Sequence, residues 1–495
     1  MKKNAFTLIE LLAVILILGI IALIAIPTIT KILDESKLGS FSSSTTEIAK
    51  IIEQECQVSI IKNTGTVTEY RFEDGKSIPS IPVKGQLPDK GYAVVNKDCQ
   101  VSFNLENNEY LSTKTYKEDR VNVINKKQAK VYGLKLDSSL PEGNLNQYIR
   151  LDDSVGMTAN VGLNQETPKN DFDNAEIYKD MVDVDDTYGN QFVTIPKFYI
   201  KKTVTGNIWE WRISKVKKDD DYYLPACFYD EVKSKEIPYI LVGKYDASGT
   251  DFKLQSKTGV MPLETQTINT FRDYAKANNI NGVSGYQLLD IHALDAIQVL
   301  FYIEFATLNS QNVMKGNSKT RATSLKINGT TDVVTASSGS PEDLISGTNA
   351  MKYRGIENIY GNIWQLVDGI NINNDTSKFY VNRDATTYAS DIIDGVNYKE
   401  IAYPKHNKNG WIAKMGFDPA NPFLQMPQEL GGDETTKYGD YYWESWQYGG
   451  TGKKVLMFGG YWNDGVYTGL NNYNLKETSS SAIMVISSRL LKTAF

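Results

Sequence analysis

At 495 residues, with 41% hydrophobic and 23% charged side chains, the chain exceeds one usual domain and has the composition of a protein that builds a full core. A formal charge of -6 and a pI near 5.4 argue against a nucleic-acid-binding surface, which normally carries a basic balance. Two histidines leave little material for histidine-based metal or triad chemistry.

The chain begins MKKNAFTLIELLAVILILGIIALIAIP, a basic start followed by an apolar run with a single acid. Leu11 to Ile26 carry no charge and no proline, and as an α-helix they rise about 24 Å, slightly short of a typical bilayer. The apolar residues before Glu10 make up the difference, and Lys2 and Lys3 should stay on the cytoplasmic side. An ionised Glu10 in hydrocarbon costs on the order of 3 kcal/mol and needs a partner. No base lies within a helical turn of it, so a partner in trans is expected. A secretory signal would place its small residues after the apolar run, and an ordinary anchor would rarely keep an acid near its start.

The ordered string of a short basic leader, Ala5, Phe6, Thr-Leu-Ile-Glu and an apolar helix reaching Pro27 resembles the prepilin N-terminus of type IV pilins and pseudopilins. The resemblance implies cleavage between Ala5 and Phe6 by prepilin peptidase, N-methylation of Phe6, and pairing of Glu10 with an adjacent subunit. It also implies a membrane-held precursor and a later place in an extracellular pilus or on the cell surface. The family usually has Gly where this chain has Ala5.

Residues 1–5 would then be leader and 6–120 a pilin-like domain, with a helix over 6–58 and its transmembrane part over 6–27. Pro27 should kink the helix near the membrane boundary, and Gly39 to Thr46 form a soft interruption. After Cys56 the pattern alternates, with Thr66–Phe72 and Tyr92–Leu105 reading as strands around a turn-rich Pro79–Lys90. Cys56 and Cys99 either form a bridge, worth roughly 4 kcal/mol in the chain-entropy model, or remain two buried thiols. The lysine-rich Tyr116 to Lys130 marks a boundary, with 121–130 expected as linker.

From 131 to 495 the reading is a large α+β domain of many short strands, frequent Gly, Asn and Asp, and one clear helix over Leu288–Thr307 packed on a sheet. All seven Trp lie from Trp209 onward. The segments QFVTIPKFYI (191–200), YLPACF (223–228), RGIENIYGNIWQLVDG (354–369), GGYW (459–462) and SSRLL (487–491) look like the C-type-lectin-fold domains of phage tail and bacterial surface proteins. That group includes formylglycine-generating enzymes and the variable proteins of diversity-generating retroelements. In this order Gly361 and Gly459 permit tight turns while Trp364 and Trp462 are expected as buried plates.

Formylglycine-generating enzymes work through a cysteine pair that binds copper. Here Cys227 is the single cysteine of the domain, in what reads as a buried strand, so no enzyme activity and no cofactor are expected. His292 reads as structural. Trp462-Asn463-Asp464 is similar to the calcium-binding triplet of sugar-binding lectins, but the companion motif upstream is missing, and no metal is expected.

Tyr461 to Ser481 is crowded with Tyr, Asn, Asp, Gly and Ser, the residues of adaptable binding surfaces. It is similar to the variable region of retroelement-diversified proteins, here 455–492. The resemblance implies ligand-binding or diversified positions at Trp462, Asn463, Asp464, Tyr467, Asn471, Asn472, Tyr473 and Asn474. Tyr442 and Trp443, in the aromatic stretch Tyr438–Tyr448, would form a neighbouring wall. The expected function is a pilus-tip or minor pilin adhesin that binds a protein or glycan on a cell, phage or matrix. The alternative is a minor pseudopilin that initiates fibres for secretion or DNA uptake.

Overall fold

The computed structural model describes residues 8–62, 69–96, 98–116, 118–250, 252–280, 284–321, 323–401, 406–436, 438–444 and 450–493, without the side chains of 9, 10, 22, 24 and 27. The chain divides into two compact units, Met1–Gln128 and Ala129–Phe495. Overall it is α+β, and most of its elements are strands.

In the first unit a single helix α1 (Leu8–Ile61) continues through Pro27 and through the stretch expected as soft. The hydroxyls there satisfy themselves along the helix, Thr45 Oγ1 donating to Phe41 O at 3.0 Å and Thr46 Oγ1 to Ser42 O at 2.7 Å. Phe41, Ile48, Ala49, Ile52 and Cys56 fall at spacings of three, four and seven and are buried, so the second half of α1 presents one stripe to a sheet. That sheet is antiparallel, in the order β2 (Lys76–Ile78), β1 (Glu69–Glu73), β3 (Lys90–Val95), β4 (Val101–Glu106), β5 (Tyr110–Lys114), β6 (Asn122–Asn125).

Two expectations change here. Tyr92–Leu105 is a hairpin of two strands, because Asn96 Oδ1 accepts from the amides of Asp98 and Gln100 and turns the chain. The stretch 121–130 is not a free linker, since β6 pairs with β5 as the last strand of the sheet. Cys56, near the end of α1, is bridged to Cys99 in the β3–β4 turn, with Cα atoms 5.6 Å apart.

The second unit is arranged around helix α3 (Ile291–Phe305), whose residues from Ile291 to Glu304 are all buried. A helix that is apolar on every side needs cover on every side, and packing on one sheet would not provide it. Asp290 caps its start, its side chain accepting from Ala293 N, and Ala306 ends it in the left-handed region. Leu288 therefore belongs to the strand Tyr286–Leu288 and not to the helix. A shorter helix, α2 (Ile268–Lys276), is capped by Thr267 and was not evident in the sequence.

A four-stranded sheet runs Tyr199–Thr205, Ile208–Ser214, Tyr132–Asp137, Tyr148–Asp152. A five-stranded sheet runs Asp183–Asp185, Gln191–Pro196, Tyr239–Gly243, Leu490–Thr493, Tyr286–Leu288. The largest sheet, of nine strands, contains in sequence of pairing Trp364–Asn373, Lys453–Gly459, Gly469–Asn474, Tyr441–Trp443, Gly410–Asp418 and Asn421–Leu430.

The tetrapeptides singled out in the sequence meet in space. Gly361 N donates to Gly459 O at 3.0 Å and Trp462 N to Asn362 O at 3.1 Å. Arg489 is fully buried beside them and donates to Gln365 Oε1, Gly243 O, Asp246 Oδ1, Glu357 O and Asn358 O. Asn362 Nδ2 donates to the other oxygen of Asp246 at 2.8 Å, which completes a satisfied polar hub. Trp364 is buried as expected, whereas Trp462 is only half-buried.

Candidate functional site

The strand Tyr441–Trp443 lies between Gly410–Asp418 and Gly469–Asn474, with Trp411 opposite Tyr441 and Tyr442 opposite Tyr473. Side chains alternate along a strand, so Tyr442 points to the core face while Tyr441 and Trp443 share the other face. There they meet Trp411 and Tyr467, the latter from the turn Gly465–Tyr467. Trp411 stacks on Tyr467 at 5.1 Å and 27°, and Tyr441 and Trp443 approach Tyr467 edge-on at 4.8 and 5.4 Å. Tyr441 lies 5.3 Å from Trp411 and 4.6 Å from Trp443. The Lys476 ammonium sits 4.2 Å from the centre of the Trp443 ring, a cation–π contact.

All four rings keep some exposure, Tyr467 most clearly at 36%. Such a face offers a ligand large flat contact area at small entropy cost. Asp464 adds a titratable group at its margin. Burial of the carboxyl pushes it up to about 7, opposed by a hydrogen bond from the Tyr461 amide and by the charge of Lys476. Burial likewise lowers the Lys476 ammonium, which Asp464, Glu477 and Glu444 oppose.

Of the residues expected to bind, Trp443 and Tyr467 are in this cluster. Trp462, Asn463 and Asp464 form a half-buried corner next to Tyr467 in the chain and are held by a neighbouring loop. Thr323 Oγ1 donates to Trp462 O at 2.7 Å, Arg321 N to Asn463 Oδ1 at 2.7 Å, and Tyr461 N to Asp464 Oδ2 at 3.1 Å. Asn463 thus spends an oxygen on the backbone of the neighbouring loop and Asp464 one on its own turn.

The remaining expected positions are enclosed. Tyr442 is 1% exposed and its hydroxyl donates to His406 O at 3.3 Å. Asn471 is fully buried, donating to Leu308 O at 3.1 Å and accepting from the Tyr302 hydroxyl. Tyr473 accepts from Gln298 Nε2 of α3 at 2.8 Å, Asn472 is fully buried, and Asn474 is 9% exposed and accepts from Lys476 N. Asn471 and Tyr473 use their polarity on α3 and the loop after it, Asn474 on the strand's own turn, and the side-chain amide of Asn472 is buried with no hydrogen-bond partner among the described residues. Trp411 and Tyr441 were missed as binding residues. Tyr441 shares parity with Trp443, which was a readable signal; Trp411 enters by a pairing that its own segment does not announce.

Cys227 is buried, but in the turn Ala226–Phe228 and not in a strand. His292 is buried in α3, its Nε2 hydrogen-bonded with Asn382 O at 2.9 Å and its ring 4.6 Å from Phe423. Burial holds the imidazole down at about 4. Among the described residues no group of three or more His, Cys, Asp or Glu could hold a metal ion.

At the other functional end, Ala5 and Phe6 lie outside the described residues, and so does the side chain of Glu10, whose backbone is part of α1. From Leu8 to Leu33, fifteen large apolar side chains of α1 are exposed on the chain taken alone. Among the described residues no helix is long and apolar enough to cross a membrane, so the membrane reading of 6–27 rests on the sequence. Residues 1–26 match the family model described as the prokaryotic N-terminal methylation motif. The chain therefore carries a type IV pilin-like N-terminus. That motif implies processing by prepilin peptidase, a membrane-anchored precursor and assembly with other pilins, as in a pilin or pseudopilin. No curated protein matches the chain.

Proposed function

We propose that this pilin-type subunit is an adhesin, with the second unit acting as a non-catalytic binding head of C-type-lectin-like fold at the tip of a fibre or sparsely along it. The observation that carries the reading is the cluster of Trp411, Tyr441, Trp443 and Tyr467, partly exposed and packed ring to ring. Four large aromatics on one solvent-facing patch suit a protein or glycan partner on another cell, a phage or a matrix. The joined motifs at Gly361, Gly459 and Arg489 support the lectin-like reading, since each has a structural task in one hub. If a retroelement diversifies 455–492, the positions free to vary without cutting into the core include Trp462, Asn463, Val466, Tyr467 and the exposed Ala482 to Met484, not Asn471 to Tyr473.

The test is the double variant Trp443→Ala/Tyr467→Ala in the native host. An adhesin keeps its fibres and loses attachment to its target surface. Loss of fibres with a folded head would instead favour a fibre-initiating pseudopilin.

A further inference from the structure

A second concavity in the same unit shares no residue with the aromatic face. Its volume is about 520 Å³, inside the range of roughly 300–1,000 Å³ typical of small-molecule sites. Its walls come from the turn Ala226–Phe228 with the hairpin after it, the strand Tyr286–Leu288, and the turn Ala385–Thr387. Ala226, Val232, Ile237 and Tyr286 give it apolar surface.

Asp290 lines the depth of this cleft and is 1% exposed. Its Oδ1 accepts from Ala293 N at 2.8 Å and its Oδ2 from Gln287 Nε2 at 3.2 Å and the Tyr388 hydroxyl at 3.3 Å, and the His292 amide also donates to the carboxyl. The leading influences on its acidity are burial, hydrogen bonds from the Ala293 and His292 amides and the Tyr388 hydroxyl, and the carboxylate of Asp368, with no cation among them. At the mouth, Arg383 is paired with Glu231 at 3.2 Å and Lys233 with Asp230 at 3.6 Å, so those cations are turned to their own partners. Lys276 stands exposed on the rim. Ionising a desolvated carboxyl that has no cation beside it among the described residues is costly, so Asp290 holds its proton; a ligand bringing a positive charge removes that cost and favours the ionised form.

We propose that this cleft binds a small organic cation, an amine or amidine head on an apolar body, with Asp290 anchoring the head and the apolar walls holding the body. Cys227 lines the same cleft and is the free thiol once Cys56 and Cys99 are bridged, so it reports occupancy.

The experiment uses the full chain in detergent and phenethylamine as probe, with phenylpropionate as its anionic counterpart. Phenethylamine should give a saturable heat of binding and slow the reaction of Cys227 with a methanethiosulfonate reagent. Phenylpropionate should do neither. Asp290→Asn keeps a good helix cap and should weaken phenethylamine binding about tenfold or more. Equal protection by both probes, no saturable heat, or undiminished binding in the folded Asn variant each overturns the proposal. The comparison of two probes on the unaltered chain needs no variant to fold.

Discussion

Two apolar helices meet opposite fates in this molecule. α3 is buried from Ile291 to Glu304 by its own chain, and most of its few polar groups are answered internally, Asp295 by Lys202 at 2.6 Å and Gln298 by Tyr473 at 2.8 Å. The first half of α1 is just as apolar, yet fifteen of its large side chains from Leu8 to Leu33 are exposed on the chain taken alone. Apolar composition alone does not say where a helix ends up; what differs is who supplies the cover. For α3 it is the fold, and for α1 the type IV pilin-like motif names a membrane and then other subunits.

That contrast can be broken most sharply at the ion pair inside the core. Lys202→Met leaves Asp295 buried without its cation and should cost about 3–5 kcal/mol in denaturant unfolding of the second unit. Next, Leu300→Ala in α3 should cost about 2–5 kcal/mol, whereas Leu16→Ala, at a side chain 66% exposed on the chain alone, should leave the unfolding midpoint in detergent unchanged and alter only membrane retention or fibre yield.

The second half of α1 sharpens the comparison, since there the chain does supply cover. Cys99→Ser releases the bridge to Cys56 and should lower the stability of the first unit by about 2–4 kcal/mol, with no effect on the second.

A smaller effect concerns the start of α3. Burial pushes Asp290 up to about 7, so the folded chain keeps a proton that the unfolded chain releases near pH 4. That contribution is fully present below about pH 4 and is lost as pH rises through about 7. Asp290→Asn should therefore flatten the fall in stability across this window by on the order of a few kcal/mol, read from unfolding midpoints at a series of pH values. The smallest expected change in stability, about 1 kcal/mol or less, is for Tyr467→Ala, which is partly exposed; its effect should appear in attachment to a target surface instead.

Features written in contiguous residues were readable before the fold was known. The prepilin string, the apolar run of α3 and the helix expected over 6–58 each depend on local periodicity or on a motif whose parts have fixed structural tasks. The binding face was only half readable. Asn471 and Tyr473 look like surface residues by type, but strand parity turns them toward α3, where Tyr302 and Gln298 use their polarity. Trp411 joins Tyr467 through a strand pairing across many residues, which no local pattern encodes. The split of Tyr92–Leu105 was missed because alternation continues through Asn96, whose side chain makes the turn.

The strand Leu490–Thr493 has a consequence for biogenesis. It is inserted between Tyr239–Gly243 and Tyr286–Leu288, and the residue before it, Arg489, ties five groups together. Until that segment is in place, two sheet edges gape and the hub has no centre. Closure of the head thus waits on this segment, and a copy cut short before residue 489 leaves both neighbouring strands without their shared partner.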